Sequence, residues 1–205
     1  MSEPDTTDTS DTIAVVLAAG AGSRFAGPTH KLDAELTGRP LLRHAVDAAV
    51  ESGIGPVIVV TAGHVTTPVP PGVTAVGNES WQQGQMSSLR IGIAAAAARG
   101  ARSVVVRLGD QPFVRPEAWR GVAAATAPIA VATYEGRRGH PVRLHQTVWD
   151  LLPDGGDEGA RSLMRLRPDL VIEVPCQGSP NVSLVDVDTL EDLRRWQNNS
   201  STSSP

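Results

Sequence analysis

The chain has 205 residues, 40% of them hydrophobic and 20% charged, with a net charge of -4, the balance of one ordinary globular domain. That acidic balance excludes general nucleic-acid binding, which needs a basic surface to displace counterions, but leaves room for a small anion held by a local basic cluster. A single cysteine, Cys176, excludes an internal disulfide and a Cys-rich zinc site and fits a reducing cytoplasm.

The opening MSEPDTTDTSD has neither the basic nor the apolar region of a targeting signal. Residues 1–11 and 198–205 read as polar, disordered tails, leaving 12–197 as one domain. Thr12–Ala18 (TIAVVLA) is a continuous apolar run, the pattern of a strand buried on both faces. Leu41–Ser52 has helical periodicity and stops at Gly53. Val57–Thr61 is a second buried strand and Val73–Val76 a short third. Ser87–Ala98 reads as an Ala-rich helix; the run IGIAAAAARGA that overlaps its end is too short and too Ala-rich to cross a bilayer, so no membrane partner is expected. Ser103–Leu108 is an apolar strand ending at Gly109-Asp110, and Arg115–Ala125 a helix. Ile129–Thr133 is a strand, and Tyr134–Leu144 an extended hairpin around glycines. Short helices near Gln146–Leu152 and Gly159–Leu166, strands at Leu170–Val174 and Ser183–Val187, and a helix at Thr189–Gln197 complete the chain. Strands alternating with helices predict a three-layer α/β/α fold with a mostly parallel, Rossmann-like sheet. The irregular stretch 134–185 is a candidate substrate-binding flap.

Ligands of open α/β sheets bind outside the carboxyl ends of the strands, so the loop after the first strand comes first. It reads VLAAGAGSRFAGPTHK and ends at Lys31, the only lysine beside 17 arginines. Gly20, Gly22 and Gly27 let backbone amides approach an anion. Arg24 adds a planar fork of donors, and Lys31 a compact point charge. Two familiar phosphate motifs nearly match and both fail. The pattern GxxxxGK[ST] finds Gly22 and Gly27 but Pro28 in place of lysine, and GxGxxG finds Gly20 and Gly22 but Phe25 in place of the third glycine. An anion site and a plain glycine turn with a surface lysine both remain open on these residues alone.

Asp110 follows a buried strand at the edge facing the same crevice, where a carboxylate can hold Mg2+; Gly-Asp and Gln-Pro are also ordinary turn residues. Asp186 and Asp188 alternate along SLVDVDTLEDL and share a side. Asp188 doubles as a candidate N-cap, with Glu191 completing a capping box, which favours Asp186 as second metal ligand. Asp192 reads as a solvated side chain, and Trp81 and Met86 as packing beneath the second loop.

Taken in order, LAAGAGSRFAGPTHKL, GNESWQQGQMSSLRIGI, LGDQP, GRRGHPV, GDEGAR and DVDTLEDL resemble the MobA-like nucleotidyltransferase family, and within it the molybdenum-cofactor cytidylyltransferases. The resemblance covers about residues 12 to 197 and implies a fold of the nucleotide-diphospho-sugar transferase type. It implies that Leu17, Ala18, Ala19 and Gly20 line the base and ribose, that Arg24 and Lys31 grip the triphosphate beside Gly22, and that Asn78 and Ser88 contact the nucleotide. Asp110 would hold Mg2+ with Asp186 or Asp188. Ala-Ala-Gly, where the guanylyl branch has Gly-Gly, favours CTP over GTP. The acceptor implied is a molybdopterin-type cofactor, contacted by Arg138, His140 and Arg161, with a molybdenum hydroxylase as recipient of the product. Without that resemblance His140 is a hairpin histidine on the sheet rim, and Asp157 a helix cap beside Arg161.

The segment between Arg24 and Lys31 is longer here than family members usually carry, so a bulged loop is expected. The same donor chemistry on another phosphorylated acceptor, a non-catalytic carrier of the pterin, and an NAD(P)H-dependent oxidoreductase like nicotine blue reductase are the competing readings. The broken GxGxxG and the acidic pair argue against the oxidoreductase, and an absolute need for Asp110 would argue against the carrier. Lys31→Ala is expected to cut turnover while disturbing folding little.

Overall fold

The computed structural model describes residues 11–201. β1 (Thr12–Ala18) leads through the glycine loop to a 3₁₀ turn at Lys31–Asp33 and a small ribbon, β2 (Glu35–Leu36) and β3 (Arg39–Pro40). There follow α1 (Leu41–Ser52), β4 (Val57–Thr61), β5 (Val73–Gly77), α2 (Gln85–Ala97), β6 (Ser103–Leu108) and α3 (Pro116–Ala123). The second half holds β7 (Ile129–Tyr134), β8 (Arg137–His145), α4 (Arg161–Leu166), β9 (Val171–Pro175), α5 (Pro180–Ser183) and α6 (Leu190–Ser201).

β1 is buried along its whole length, and its alternation decides the layers. Ala14, Val16 and Ala18 join one apolar core with α1 and α3; Ile13, Val15 and Leu17 join a second with α2 and α4. Two-sided burial puts β1 inside the sheet, paired in parallel with β4 and β6. The full order is β5-β4-β1-β6-β8-β7-β9, parallel except where β8 runs against β6 and β7. α1 buries Leu41, Leu42, Ala45, Val46 and Ala49 on one stripe and ends at Gly53 in the left-handed conformation. α2 lies so close to the sheet that a Cβ on Gly92 would sit 2.6 Å from Val15 Cγ1. Among the described residues no helix is long and apolar enough to cross a membrane.

Within the stretch 134–185, β8 and β9 belong to the sheet rather than to a flap. A two-residue turn with positive φ at Glu135 and Gly136 folds β8 back between β6 and β7, inside the sheet. Ser183–Val187 is not a strand either. Pro180 at the first helical position and the Ser179 side chain, which accepts from Asn181 N–H, start a helical turn there. β6 already has β1 and β8 on its flanks, so Val187 is left with one backbone bond, to Asp110 O at 3.0 Å. Of the tails, residues 1–10 and 202–205 lie outside the described residues. Asp11 accepts from Arg102 Nε at 2.6 Å, and α6 continues to Ser201.

Candidate active site

At the carboxyl ends of β1 and β6, the glycine loop, the start of α2 and the segment before α6 enclose a cleft of about 500 Å³. Leu17, Ala18, Ala19, Gly20, Gly22, Arg24, Lys31, Ser88, Asp110 and Asp188 all line it.

Lys31 is nearly buried, at 8% exposure. Its Nζ donates to Asp110 Oδ2 at 2.6 Å and to Asp188 Oδ1 at 2.9 Å, and exposed Arg24 reaches the other oxygen of Asp188 at 2.9 Å. Burial alone would lower the ammonium's pKa; the two carboxylates more than reverse this and hold it above the usual lysine value. A compact point charge fits between two carboxylates where a wider guanidinium would not, which accounts for one lysine among arginines. Gly22 makes room for it. Its φ is +62°, and a Cβ there would sit 2.9 Å from His30 Nε2 and 3.1 Å from Lys31 Cγ.

Asp188 is not the cap of α6. Thr189 is: its Oγ1 accepts from Asp192 N–H at 3.1 Å, while Asp192 Oδ2 accepts from the N–H groups of Asp188 (3.3 Å) and Thr189 (3.0 Å). The box is Thr189-x-x-Asp192, one position later than the pairing of Asp188 with Glu191, and Asp192 is part of it rather than solvated. This frees the Asp188 carboxylate to face Lys31 and Arg24. Asn78 also departs from expectation. It is buried behind the cleft, donating to Ser87 Oγ and Ser88 Oγ at 2.9 Å each, and so orients Ser88 instead of lining the site. Met86 is core, but Trp81 lines the cleft.

Among the described residues no three His, Cys, Asp or Glu side chains gather into a metal-holding group. Of the two alternative partners expected for Asp110, Asp188 is joined to it only through the bridging Lys31 ammonium. Asp110 Oδ1, however, is buried without any partner. Asp186 accepts from Gln111 Nε2 at 2.7 Å, and burial together with the charge of Asp110 raises its carboxyl pKa. An orphaned carboxylate oxygen beside a second carboxylate suits a hard divalent cation that takes its remaining ligands from water and phosphate. Asp110 and Asp186 therefore fit such an ion; Asp188 is committed to the two cationic side chains.

A second cavity of about 360 Å³ shares Leu17 and Gln85 with the cleft. Its walls are apolar, including Leu89, Val131, Val142 and Met164, and Arg138, His140 and Arg161 stand together around it. Burial, Arg161 and Arg107 push the His140 pKa down to about 3, so the ring is neutral, and its Nδ1 is buried and unpartnered. Asp157 does not cap α4, which begins at Arg161 without a side-chain cap.

Arg107 and Gln111 escaped the sequence reading. Arg107 is fully buried beneath the acidic residues, with Nε and a terminal nitrogen unpartnered, and burial lowers its pKa to about 9 against the pull of Tyr134, Asp110 and Asp186. A charge inside the apolar run SVVVRL was the available signal.

A family model described as the MobA-like NTP transferase domain matches residues 14–171. The chain belongs to this family. The MobA-like chain is 36% identical over 140 residues to the "Bifunctional protein GlmU" of Anaeromyxobacter dehalogenans strain 2CP-C, which covers 62% of this chain and 28% of that relative. It thus spans under a third of that protein's length. Rv0371c of Mycobacterium tuberculosis H37Rv is 29% identical with a TM-score of 0.75, covering 92% of this chain and 98% of that one. A second structure of Rv0371c, a complex with manganese, is 27% identical with a TM-score of 0.71, covering 92% and 99%. A nucleotidyl transferase from Methanothermobacter shares the fold, with a TM-score of 0.75 over 94% of this chain and 99% of that one at 24% identity.

Proposed function

We propose that the protein is a Mg2+-dependent nucleotidyltransferase that moves CMP from CTP onto the phosphate of a molybdopterin-type cofactor and releases pyrophosphate. The observation that carries this reading is the buried Lys31 ammonium, held at the mouth of the glycine loop by Asp110, whose second oxygen is orphaned. The MobA-like NTP transferase family and a manganese complex among the structural neighbours support nucleotide chemistry beside a divalent ion.

In this reading an acceptor phosphate oxygen attacks the α-phosphorus in line, the bond to the bridging oxygen of the β-phosphate breaks, and pyrophosphate leaves with that electron pair. The acceptor is already ionised, so no strong base is needed. Loop amides bind the triphosphate, Lys31 stabilises charge on the five-coordinate α-phosphate, and exposed Arg24 turns from Asp188 to the departing pyrophosphate. Asp110 and Asp186 would hold a cation, which when bound would supply charge neutralisation to the triphosphate. Ala18-Ala19-Gly20 supports cytosine through the resemblance. Arg138, Arg161 and neutral His140 suit an anionic acceptor whose body lies on the apolar wall, and a molybdenum hydroxylase would receive the product.

The test is pyrophosphate release with each NTP, with and without the pterin cofactor. Release that needs CTP, Mg2+ and the pterin supports the reading. CTP-dependent release on a different phosphate ester moves the acceptor, and NADPH oxidation without pyrophosphate overturns it.

A further inference from the structure

The long segment between Arg24 and Lys31 closes back on the glycine loop. Phe25 turns into the apolar core, its N–H bonded to Gly22 O at 2.9 Å, and His30 then packs against Gly22. His30 Nδ1 lies 3.3 Å from Leu32 N–H and caps the 3₁₀ turn that carries Lys31, and its Nε2 lies 3.0 Å from Gly20 O. An amide can only donate and a carbonyl only accept, so these partners dictate a neutral ring with the proton on Nε2. His64 Nε2 reaches the same Gly20 O at 3.0 Å, tilts against His30 with ring centres 4.6 Å apart, and meets Trp81 edge-on at 5.0 Å. The loop bearing His64 is tied to the same turn, because Asp33 accepts from the N–H and hydroxyl groups of Thr66 and Thr67 at 2.6–3.1 Å.

We propose that His30, as its Nε2–H tautomer, is a positioning residue that clasps the phosphate-facing loop at Gly20 to the turn presenting Lys31, with His64 as a second clasp on the same carbonyl. Its catalytic consequence rests on the nucleotidyl-transfer reading; the clasp itself does not. The titratable groups facing His30 are Lys31 and Asp33 on its own turn and His64 from the loop after β4. Burial is the largest influence and, with His64 and Lys31, outweighs Gly20 O and Asp33, so the His30 pKa lies below 6.5. Protonation would turn Nδ1 from acceptor to donor against Leu32 N–H, and the clasp would open as pH falls through that value.

Long-range proton–nitrogen spectra of the full chain, with the His30 signals assigned by their loss in His30→Ala, read the tautomer directly. A protonated Nε2 and bare Nδ1 at pH 8 are expected; a protonated Nδ1 overturns the clasp whatever the enzyme does. In pyrophosphate release, His30→Ala should lower kcat about tenfold and remove an acid limb that wild type and His64→Ala retain. His30→Asn, which keeps a cap acceptor but cannot reach Gly20 O, should fall between them. An unchanged kcat and acid limb in His30→Ala, while Lys31→Ala loses turnover, overturns the positioning role. Wild-type protein that releases no pyrophosphate from any NTP counts against the nucleotidyl-transfer reading instead.

Discussion

Lys31 Nζ stands 2.6 Å from Asp110 Oδ2, and the other oxygen of that carboxylate is buried with no partner. One side of Asp110 is thus satisfied by the protein's own cation, while the other has no hydrogen-bond partner. A half-satisfied buried carboxylate costs stability whatever its role, so its presence calls for a functional reason.

Lys31→Ala should lower kcat by roughly a hundredfold or more. It should also destabilise the fold by about 1–3 kcal/mol, because Asp110 and Asp188 lose their shared partner in a largely buried setting. This second effect corrects the expectation of a nearly neutral change. Lys31→Arg should rescue stability better than turnover. Thermal melts and pyrophosphate release on the same samples check both.

Asp110→Asn should abolish divalent-dependent turnover and lower thermal stability in the absence of metal, since losing the charge that pairs with the buried Lys31 ammonium outweighs the relieved repulsion with Asp186. Asp188→Asn should instead keep metal dependence and weaken triphosphate binding. Mn2+ titration followed by water-proton relaxation separates the two, and equal loss of ion binding in both variants would refute the division of labour.

Much of this site was legible because it depends on local pattern. Two-sided apolar runs located β1, β4 and β6, and the rule that crevices lie at strand ends brought the glycine loop and Asp110 to one edge. What was not legible depends on partners distant in sequence. Val187 has the apolar character of a strand, but β6 has no free edge for it. Asp188 and Thr189 both suit a cap, and only the position of Asp192 decides between them. Asn78 near a nucleotide motif looks like a ligand until Ser87 and Ser88 are found to take its donors. The interior place of β8 follows from a turn at Glu135-Gly136, which specifies a hairpin but not what the hairpin enters.

Thr189→Ala should cost about 1 kcal/mol, the usual worth of a helix cap. It should also raise KM for the nucleotide, because the box that orients Asp188 is lost. Thr189→Ser should restore both. Denaturant titration with steady-state kinetics tests the pairing; a stability loss without any KM change would detach the cap from the site.

Gly22→Ala and Gly20→Ala should behave oppositely. At Gly22 the backbone has φ +62° and an added methyl meets His30 and Lys31, so a loss of about 1–2 kcal/mol and of nucleotide affinity is expected. At Gly20 a Cβ meets nothing within 4 Å and φ is not positive, so folding should be unaffected. Similar melting temperatures for the two variants would contradict the close approach.

His140 supplies a pH test with a defined sign. Its pKa is lowered to about 3 in the folded chain by burial and by Arg161 and Arg107, against about 6.5 when unfolded. The unfolded chain therefore takes up the proton first, and the contribution of the neutral ring is fully present above pH 6.5 and lost progressively as pH falls toward 3. His140→Gln, which cannot charge, should flatten stability against pH across that window and leave it unchanged above. Because the ring stays neutral through the working range, His140 can only donate or accept a hydrogen bond to an acceptor molecule. Any acid limb of turnover that depends on His30 should survive His140→Gln, and its disappearance there would show that the ring carries charge in the site.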